Sequence, residues 1–102
     1  WEVAKSADFS APIGPLHLAS QVGHVQSGAI TLSVNGHVKQ NANLSDMIWS
    51  VPEQIAILST YFELKAGDLI FSGTPEGVGA VTRGDMMNVA IATLGNIELR
   101  VV

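Results

Sequence analysis

The chain contains no cysteine, and its five lysines and arginines are scattered singly among 102 residues. Without cysteine there is no disulfide, no thiolate nucleophile and no cysteine-based zinc site, so a cytoplasmic location is the prediction. The formal net charge is −4, and no basic run provides the electrostatic footprint that binds nucleic acid or an anionic membrane. We therefore expect neither a nucleic acid nor a membrane as a partner.

Long hydrophobic runs are also missing. No apolar segment approaches the roughly 20 residues that are needed to span a bilayer. The N-terminal Trp1-Glu2-Val3-Ala4-Lys5 lacks the layout of a signal peptide and begins without methionine, as if cut from a longer protein. A chain of 102 residues suffices for one small domain, and no second domain is expected.

Charged residues are scarce compared with apolar ones. They form 14% of the chain, whereas hydrophobic residues form 47%. This balance is unusual for a free monomer of this size and predicts an interface with a second copy or with sequence outside this chain.

The sequence pattern predicts a mainly β fold, of class α+β, that starts with an ordered loop over residues 5–15. Apolar residues alternate over 30–34, and Asn35-Gly36 is typical of a tight hairpin turn, so a return strand is expected over 37–40. Three further strands are predicted at 69–72, 87–92 and 97–102. Each of these strands lies beside a glycine-containing turn, at 66–68, 83–85 and 94–96.

One short helix is predicted after the hairpin. Ser45 is expected to cap a helical turn, and Ser50 with Glu53 three residues later forms a capping-box pattern, which predicts a helix over 51–61. A stripe of apolar residues at helical spacing is expected to pack in the core. It consists of Val51, Ile55, Leu58 and Phe62.

The segment 72–79 is the best candidate for a functional loop. It has three glycines in eight residues and follows an apolar strand, so its backbone N–H groups could approach a ligand oxygen. Thr74 could add a hydroxyl donor for a carboxylate or an oxyanion. A plain structural turn is the alternative, since glycine and proline are ordinary in loops.

Metal ligands cannot be assembled from the sequence pattern. His17, His24 and His37 share no ligand spacing and are expected on the surface or in loops. The aspartates are spread without the spacing of a calcium loop. No metal-binding residue is therefore predicted in this chain.

Six segments together resemble, in order and spacing, the C-terminal half of the fumarylacetoacetate hydrolase family, with the closest likeness to its fumarylpyruvate hydrolase and acylpyruvase branch. The likeness covers essentially the whole chain. The segments are Trp1-x-x-Ala-Lys5-Ser-x-Asp8, Ala11-Pro-Ile-Gly-Pro15, Leu32-Ser-Val-Asn-Gly36, Asp46-Met-Ile-Trp49, Leu64-Lys-Ala-Gly-Asp-Leu-Ile70 and Ser72-Gly-Thr-Pro-Glu-Gly-Val-Gly79.

The resemblance implies a mixed β-roll around a divalent metal, Mg²⁺ or Mn²⁺, which polarises a β-diketo acid for hydrolytic cleavage of a carbon–carbon bond. Lys5 matches the family's active-site lysine, which lies beside the substrate and can stabilise an enolate or oxyanion. Thr74 matches the threonine that helps to hold the substrate's carboxylate end, and Gly73 beside it is assigned to substrate binding. The family also implies a homodimer.

The resemblance also implies that an essential part is missing. The family's three metal carboxylates and the His–Glu pair of its lid lie upstream of the position that matches Trp1. Residues 1–102 are therefore expected to be the C-terminal part of one catalytic domain, inactive and metal-free alone. Isomerase and oxaloacetate decarboxylase activities of the same family stay open, as does a non-catalytic assembly module.

Overall fold

The computed structural model describes residues 7–102. These residues form one four-stranded sheet, two α-helices and one 3₁₀ turn. In chain order they are α1 (Ala19–Val22), β1 (Ala29–Val34), β2 (His37–Asn43), the 3₁₀ turn (Leu44–Asp46), α2 (Val51–Tyr61), β3 (Met86–Ile91) and β4 (Gly95–Arg100). The predicted mainly β fold with one helix after a hairpin is confirmed, while the single turn of α1 was not predicted.

The sheet has the strand order β2-β1-β3-β4, and all three described pairings are antiparallel. The hairpin turn between β1 and β2 is confirmed, because Asn35 and Gly36 both have positive φ, at 50° and 80°. Such a turn matches the right-handed twist of the flanking strands. The strands predicted at 87–92 and 97–102 are also confirmed, with shifts of one or two residues at their ends.

A β-bulge interrupts the pairing of β1 with β2. Leu32 lies opposite Gln40, but the next residue, Ser33, lies opposite Val38, so Lys39 has no partner residue across the ladder. A bulge adds one residue to a strand and changes the direction in which the following side chains point. Gln40 is the residue that follows Lys39 at this bulge.

Helix α2 begins at the predicted capping box. The Glu53 N–H donates to Ser50 Oγ over 3.3 Å, and the Ser50 N–H donates to Glu53 Oε2 over 2.8 Å. Both hydrogen bonds satisfy backbone groups that the helix itself leaves unpaired. The 3₁₀ turn is capped differently from the prediction, because the Asn43 side chain, and not Ser45, accepts its N-terminal hydrogen bond. The hydroxyl of Ser45 instead donates to the same Asn43 oxygen.

Two predictions about the middle of the chain are wrong for the described residues. Residues 69–72 form no strand and pair with none of the four strands of the described sheet. The apolar stripe of α2 is not in a core either, with Ile55 44% exposed and Phe62 63% exposed. The helix makes no extensive contact with another described element, because the extensive contacts between elements all lie within the sheet.

The described residues enclose no hydrophobic core of their own. The accessible surface is 8263 Å², whereas a folded monomer of this mass is expected to expose about 5,500 Å². The radius of gyration is 14.8 Å, compared with about 13 Å for a compact domain of this length. The predicted excess of uncovered apolar surface is therefore confirmed for this chain taken alone.

The predicted turns at 66–68 and 83–85 have the same hydrogen-bonding pattern. In each turn an aspartate side chain accepts from the N–H three residues earlier, Lys65 for Asp68 and Thr82 for Asp85. The same aspartate's N–H donates back to that residue's carbonyl. The two Gly-Asp turns thus share a local hydrogen-bonding pattern that is contained within four residues.

The helices of the described residues are short. None of them is both long and apolar enough to cross a membrane, which agrees with the lack of long apolar runs in the sequence.

Candidate functional site

A cleft of about 690 Å³ lies between the end of β2, the segment that leads into α2 and the glycine-rich loop. Its volume is within the range of roughly 300–1,000 Å³ that is typical of small-molecule sites. It is lined by residues 41–44, 46–49 and 72–76, together with Ile30 and Gln54. The cleft is therefore large enough for a small organic acid, and the predicted functional loop forms one of its walls.

The side chain of Gln40 holds the glycine-rich loop against the sheet. Its Nε2 lies 3.0 Å from Thr74 Oγ1 and 2.8 Å from the carbonyl oxygen of Pro75. Gln40 is half-buried, and it follows the bulge at Lys39. A bulged strand thus fixes the loop that carries the candidate threonine.

A second contact between the loop and the bulge is made by Gly77. This residue has a φ of +104°, which side-chain-bearing residues rarely adopt, and its Cα faces the backbone carbonyl of Lys39. A Cβ at this position would overlap the Lys39 oxygen. Glycine is therefore required here both by conformation and by close approach.

The opposite part of the cleft is built at the start of α2. Gln54 donates a hydrogen bond from Nε2 to the carbonyl of Trp49 over 2.9 Å and lies 3.8 Å from the Met47 sulfur. The 3₁₀ turn before this segment is fixed by the Asn43 cap and by Asp46, which accepts from the Asn43 N–H over 3.0 Å. Local capping hydrogen bonds therefore shape this wall.

The cleft combines apolar and polar side chains. Ile48 and Trp49 are exposed apolar residues in its lining, whereas Asn41 and Thr74 add amide and hydroxyl groups. This combination suits a ligand that has an apolar or flat body and a few oxygen atoms to be hydrogen-bonded.

Comparison with known proteins gives this cleft a context. The family description "Fumarylacetoacetate (FAA) hydrolase C-terminal" matches residues 1–102. The chain belongs to the fumarylacetoacetate hydrolase family. The family that the sequence motifs suggested is thereby confirmed.

Three relatives illustrate the range of the family. The crystal structure of fumarylpyruvate hydrolase from Pseudomonas aeruginosa in complex with Mn²⁺ and pyruvate is 55% identical, with a TM-score of 0.97 over 100% of this chain and 44% of its own. A fumarylpyruvate hydrolase of Ralstonia is 52% identical over 76% of this chain and 40% of its own length. An oxaloacetate tautomerase of Escherichia coli is 42% identical over 87% of this chain and 41% of its own.

The chain spans less than half the length of each of these relatives. The TM-score of 0.97 shows that the described fold is that of the C-terminal part of a fumarylpyruvate hydrolase.

Two of the three residues predicted for substrate binding or catalysis lie within the described part of the chain. Gly73 and Thr74 both line the cleft. Lys5 lies outside the described residues, so its role stays a prediction. Gln40 was missed, because the only signal in the sequence is an unremarkable glutamine in a strand, and the bulge that directs it toward Thr74 has no local signature.

The described residues do not fit a divalent metal. Nowhere between residues 7 and 102 do three or more histidine or carboxylate side chains gather around one point. Asp46 and Glu76 are the acidic residues that line the cleft, and Asp46 is already hydrogen-bonded to the Asn43 backbone. The three histidines are exposed, as expected. A metal used by this family member would need ligands from other residues.

Proposed function

We propose that this chain is the C-terminal part of a hydrolase that cleaves a carbon–carbon bond of an acylpyruvate such as fumarylpyruvate. The observation that carries the proposal is the loop with Gly73 and Thr74 on a cleft of small-molecule size. It occurs in a family member that closely resembles a fumarylpyruvate hydrolase with bound pyruvate.

In this proposal the loop binds the 2-oxo acid end of the substrate. The Thr74 hydroxyl donates a hydrogen bond to the carboxylate, which is a charge-assisted contact and stronger than one between neutral groups. Lys5 brings its ammonium group to the oxygen that gains negative charge during the reaction. In this proposal both groups act as hydrogen-bond donors to an anionic substrate.

The reaction consumes one water molecule. Water adds to the acyl carbonyl, the bond between that carbon and the neighbouring methylene breaks, and the bonding electrons pass to the pyruvate enolate. Protonation of the enolate carbon gives pyruvate, and the acyl group leaves as a carboxylate. Lys5 would stabilise the enolate or the preceding oxyanion.

Any divalent ion of the full-length protein would be held by residues outside the described part of this chain. Mn²⁺ is present in the relative from Pseudomonas aeruginosa, and Mg²⁺ is the other ion that we propose for the full-length protein. The described residues do not fit a metal, so its ligands would have to come from other residues of the full-length protein.

The second candidate is an oxaloacetate tautomerase, because one relative has that activity. Oxaloacetate and acylpyruvates share the 2-oxo acid end, so the same loop could bind both. The two candidates differ at the other end of the substrate, where either a bond to carbon is cleaved or only a proton moves. An oxaloacetate decarboxylase also releases pyruvate from oxaloacetate, but with carbon dioxide.

Substrate profiling of the full-length protein distinguishes these reactions. Purified protein is incubated with Mn²⁺ and either fumarylpyruvate or oxaloacetate, and both pyruvate release and the enol-to-keto rate are recorded. Pyruvate release from fumarylpyruvate supports the hydrolase. Enol-to-keto conversion of oxaloacetate without pyruvate release supports the tautomerase, and inactivity on both substrates supports a non-catalytic assembly module.

We also propose that the full-length protein is a cytoplasmic homodimer. The dimer is what the family resemblance implies, and a second copy is one of the two coverings expected for the uncovered apolar surface of the chain, beside the rest of the full-length protein. Size-exclusion chromatography with light scattering tests it, since a monomeric mass would contradict the proposal.

A further inference from the structure

The amide of Gln40 has only one orientation that satisfies its neighbours. A backbone carbonyl accepts hydrogen bonds and cannot donate, so the Gln40 atom 2.8 Å from the Pro75 oxygen must be the nitrogen. The same nitrogen lies 3.0 Å from Thr74 Oγ1. One amide N–H is thus directed at Pro75 and the other at Thr74.

This orientation fixes the direction of the hydrogen bond to Thr74. An amide –NH₂ group has no lone pair available to accept, so the threonine hydroxyl is the acceptor in this contact. The hydroxyl hydrogen must then point away from Gln40. Because Thr74 lines the cleft, the hydrogen is left available to a ligand there.

We propose that Gln40 is a positioning residue that keeps the Thr74 hydroxyl as a hydrogen-bond donor to the substrate's carboxylate. It does so by occupying an acceptor site of that hydroxyl and by anchoring the loop through Pro75. The inference rests on the proposed function of Thr74. It adds a specificity rule, because a hydroxyl held as a donor favours an anionic oxygen over a ligand group that is itself a donor.

Two substitutions of Gln40 by side chains of similar size distinguish its effect on the Thr74 hydroxyl from its support of the loop through Pro75. Gln40→Met removes both hydrogen bonds but leaves the Thr74 hydroxyl free to donate. Gln40→Glu introduces a carboxylate that has no hydrogen, so it accepts from Thr74 and withdraws the donor from the substrate. Each variant is made in the full-length protein with Thr74 intact and with Thr74→Val, and KM and kcat are measured with the preferred substrate.

Gln40→Glu is expected to raise KM in both backgrounds, but by a factor that is about 10 to 100 times larger when Thr74 is present than when it is replaced by valine. This factor corresponds to the loss of one hydrogen bond to a charged group. Repulsion between the new carboxylate and an anionic substrate acts in both backgrounds, so the difference between the backgrounds isolates the hydroxyl. For Gln40→Met, the increase in KM is expected to differ less between the Thr74 and Thr74→Val backgrounds. With Thr74 present, the KM of Gln40→Glu should improve as the pH falls through the ordinary glutamic acid range, because a protonated carboxyl can donate again.

Thermal unfolding of each variant identifies any that fails to fold. If Gln40→Glu does not fold, the same comparison is made with Gln40→Met alone, whose KM should rise more with Thr74 present than in the Thr74→Val background. Equal effects of a Gln40 substitution in the two backgrounds would overturn the inference while leaving the role of Thr74 intact. If Thr74→Val itself changes neither KM nor kcat, the proposed function of Thr74 fails, and the inference fails with it.

Discussion

Asn35, in the hairpin turn, donates a hydrogen bond from Nδ2 to Oδ1 of Asp85 over 2.9 Å, although the two residues are 50 positions apart. The backbone on both sides reinforces this contact. The Asn35 N–H donates to the Met86 carbonyl over 2.8 Å, and the Met86 N–H donates to Asn35 Oδ1 over 3.0 Å. The tip of the first hairpin is thereby joined to the start of β3.

The carboxylate of Asp85 is expected to make stability depend on pH. The Thr82 backbone N–H, followed by the Asn35 amide, holds its pKa below the ordinary value. A lowered pKa in the folded state means that the stabilisation is complete above the ordinary aspartate pKa and is lost as the pH falls through the folded value. We therefore expect the urea midpoint of the full-length wild-type protein to fall as the pH is lowered from about 5 to about 3. In the Asp85→Asn variant this fall should be smaller. Identical pH profiles would contradict this.

The close approach of Gly77 to Lys39 predicts a sensitive position in the loop. Gly77→Ala should displace the loop from β2, because a Cβ would overlap the Lys39 carbonyl and because φ is +104°. We expect kcat/KM of the full-length protein to fall about 10-fold or more, as geometric misplacement of a binding group commonly does. Gly79→Ala is the matched control, since open space surrounds Gly79 and its φ is not in the left-handed region. Equal activity of the two variants would contradict the packing argument.

The capping box of α2 predicts a local stability effect. Ser50→Ala removes the side-chain acceptor of the Glu53 N–H and should lower the free energy of unfolding by about 1 kcal/mol, a typical value for an N-cap. Ser59→Ala is the comparison, because it removes an exposed hydroxyl of the same helix that donates to the Ala56 carbonyl over 2.7 Å but caps no helix end, and it should change stability less. Chemical denaturation of the full-length protein measures both. A Ser50 variant as stable as the wild type would show that the cap contributes little.

The lack of clustered metal ligands among the described residues gives a further prediction. Because residues 7–102 provide no cluster of metal ligands, the isolated chain should show no heat of binding when it is titrated with Mn²⁺. The isolated chain should also release no pyruvate from fumarylpyruvate. The full-length protein, in contrast, should bind Mn²⁺ with a measurable heat and should release pyruvate. Metal-dependent turnover by the isolated chain would be incompatible with ligands that lie elsewhere.

The elements that depend on neighbours in sequence could be predicted well. The Asn35-Gly36 turn and the helix that starts after Ser50 are specified within four residues by backbone preference and capping hydrogen bonds. Thr74 could be selected as a candidate because its loop has an unusual density of glycine. The family motif then supplied its proposed role.

The features that depend on distant residues could not be predicted. Residues 69–72 have the composition of a strand, but a strand also needs a pairing partner, and these residues pair with no strand of the described sheet. The contact between Gln40 and Thr74 joins positions 34 residues apart and depends on a bulge, which leaves no periodic signal in the sequence. The apolar spacing along α2 is present as predicted, but no described residues bury this face, so its place in a core could not be verified from local pattern alone.

The most direct test of the central claim is the rate of pyruvate release from fumarylpyruvate by the full-length, Mn²⁺-loaded protein, measured for the wild type and for Thr74→Val and Thr74→Ser. The account predicts turnover by the wild type, a loss of kcat/KM of about 10- to 100-fold in Thr74→Val, and substantial retention in Thr74→Ser, which keeps the hydroxyl. No pyruvate release by the wild type, or equal rates for the wild type and Thr74→Val, would contradict it.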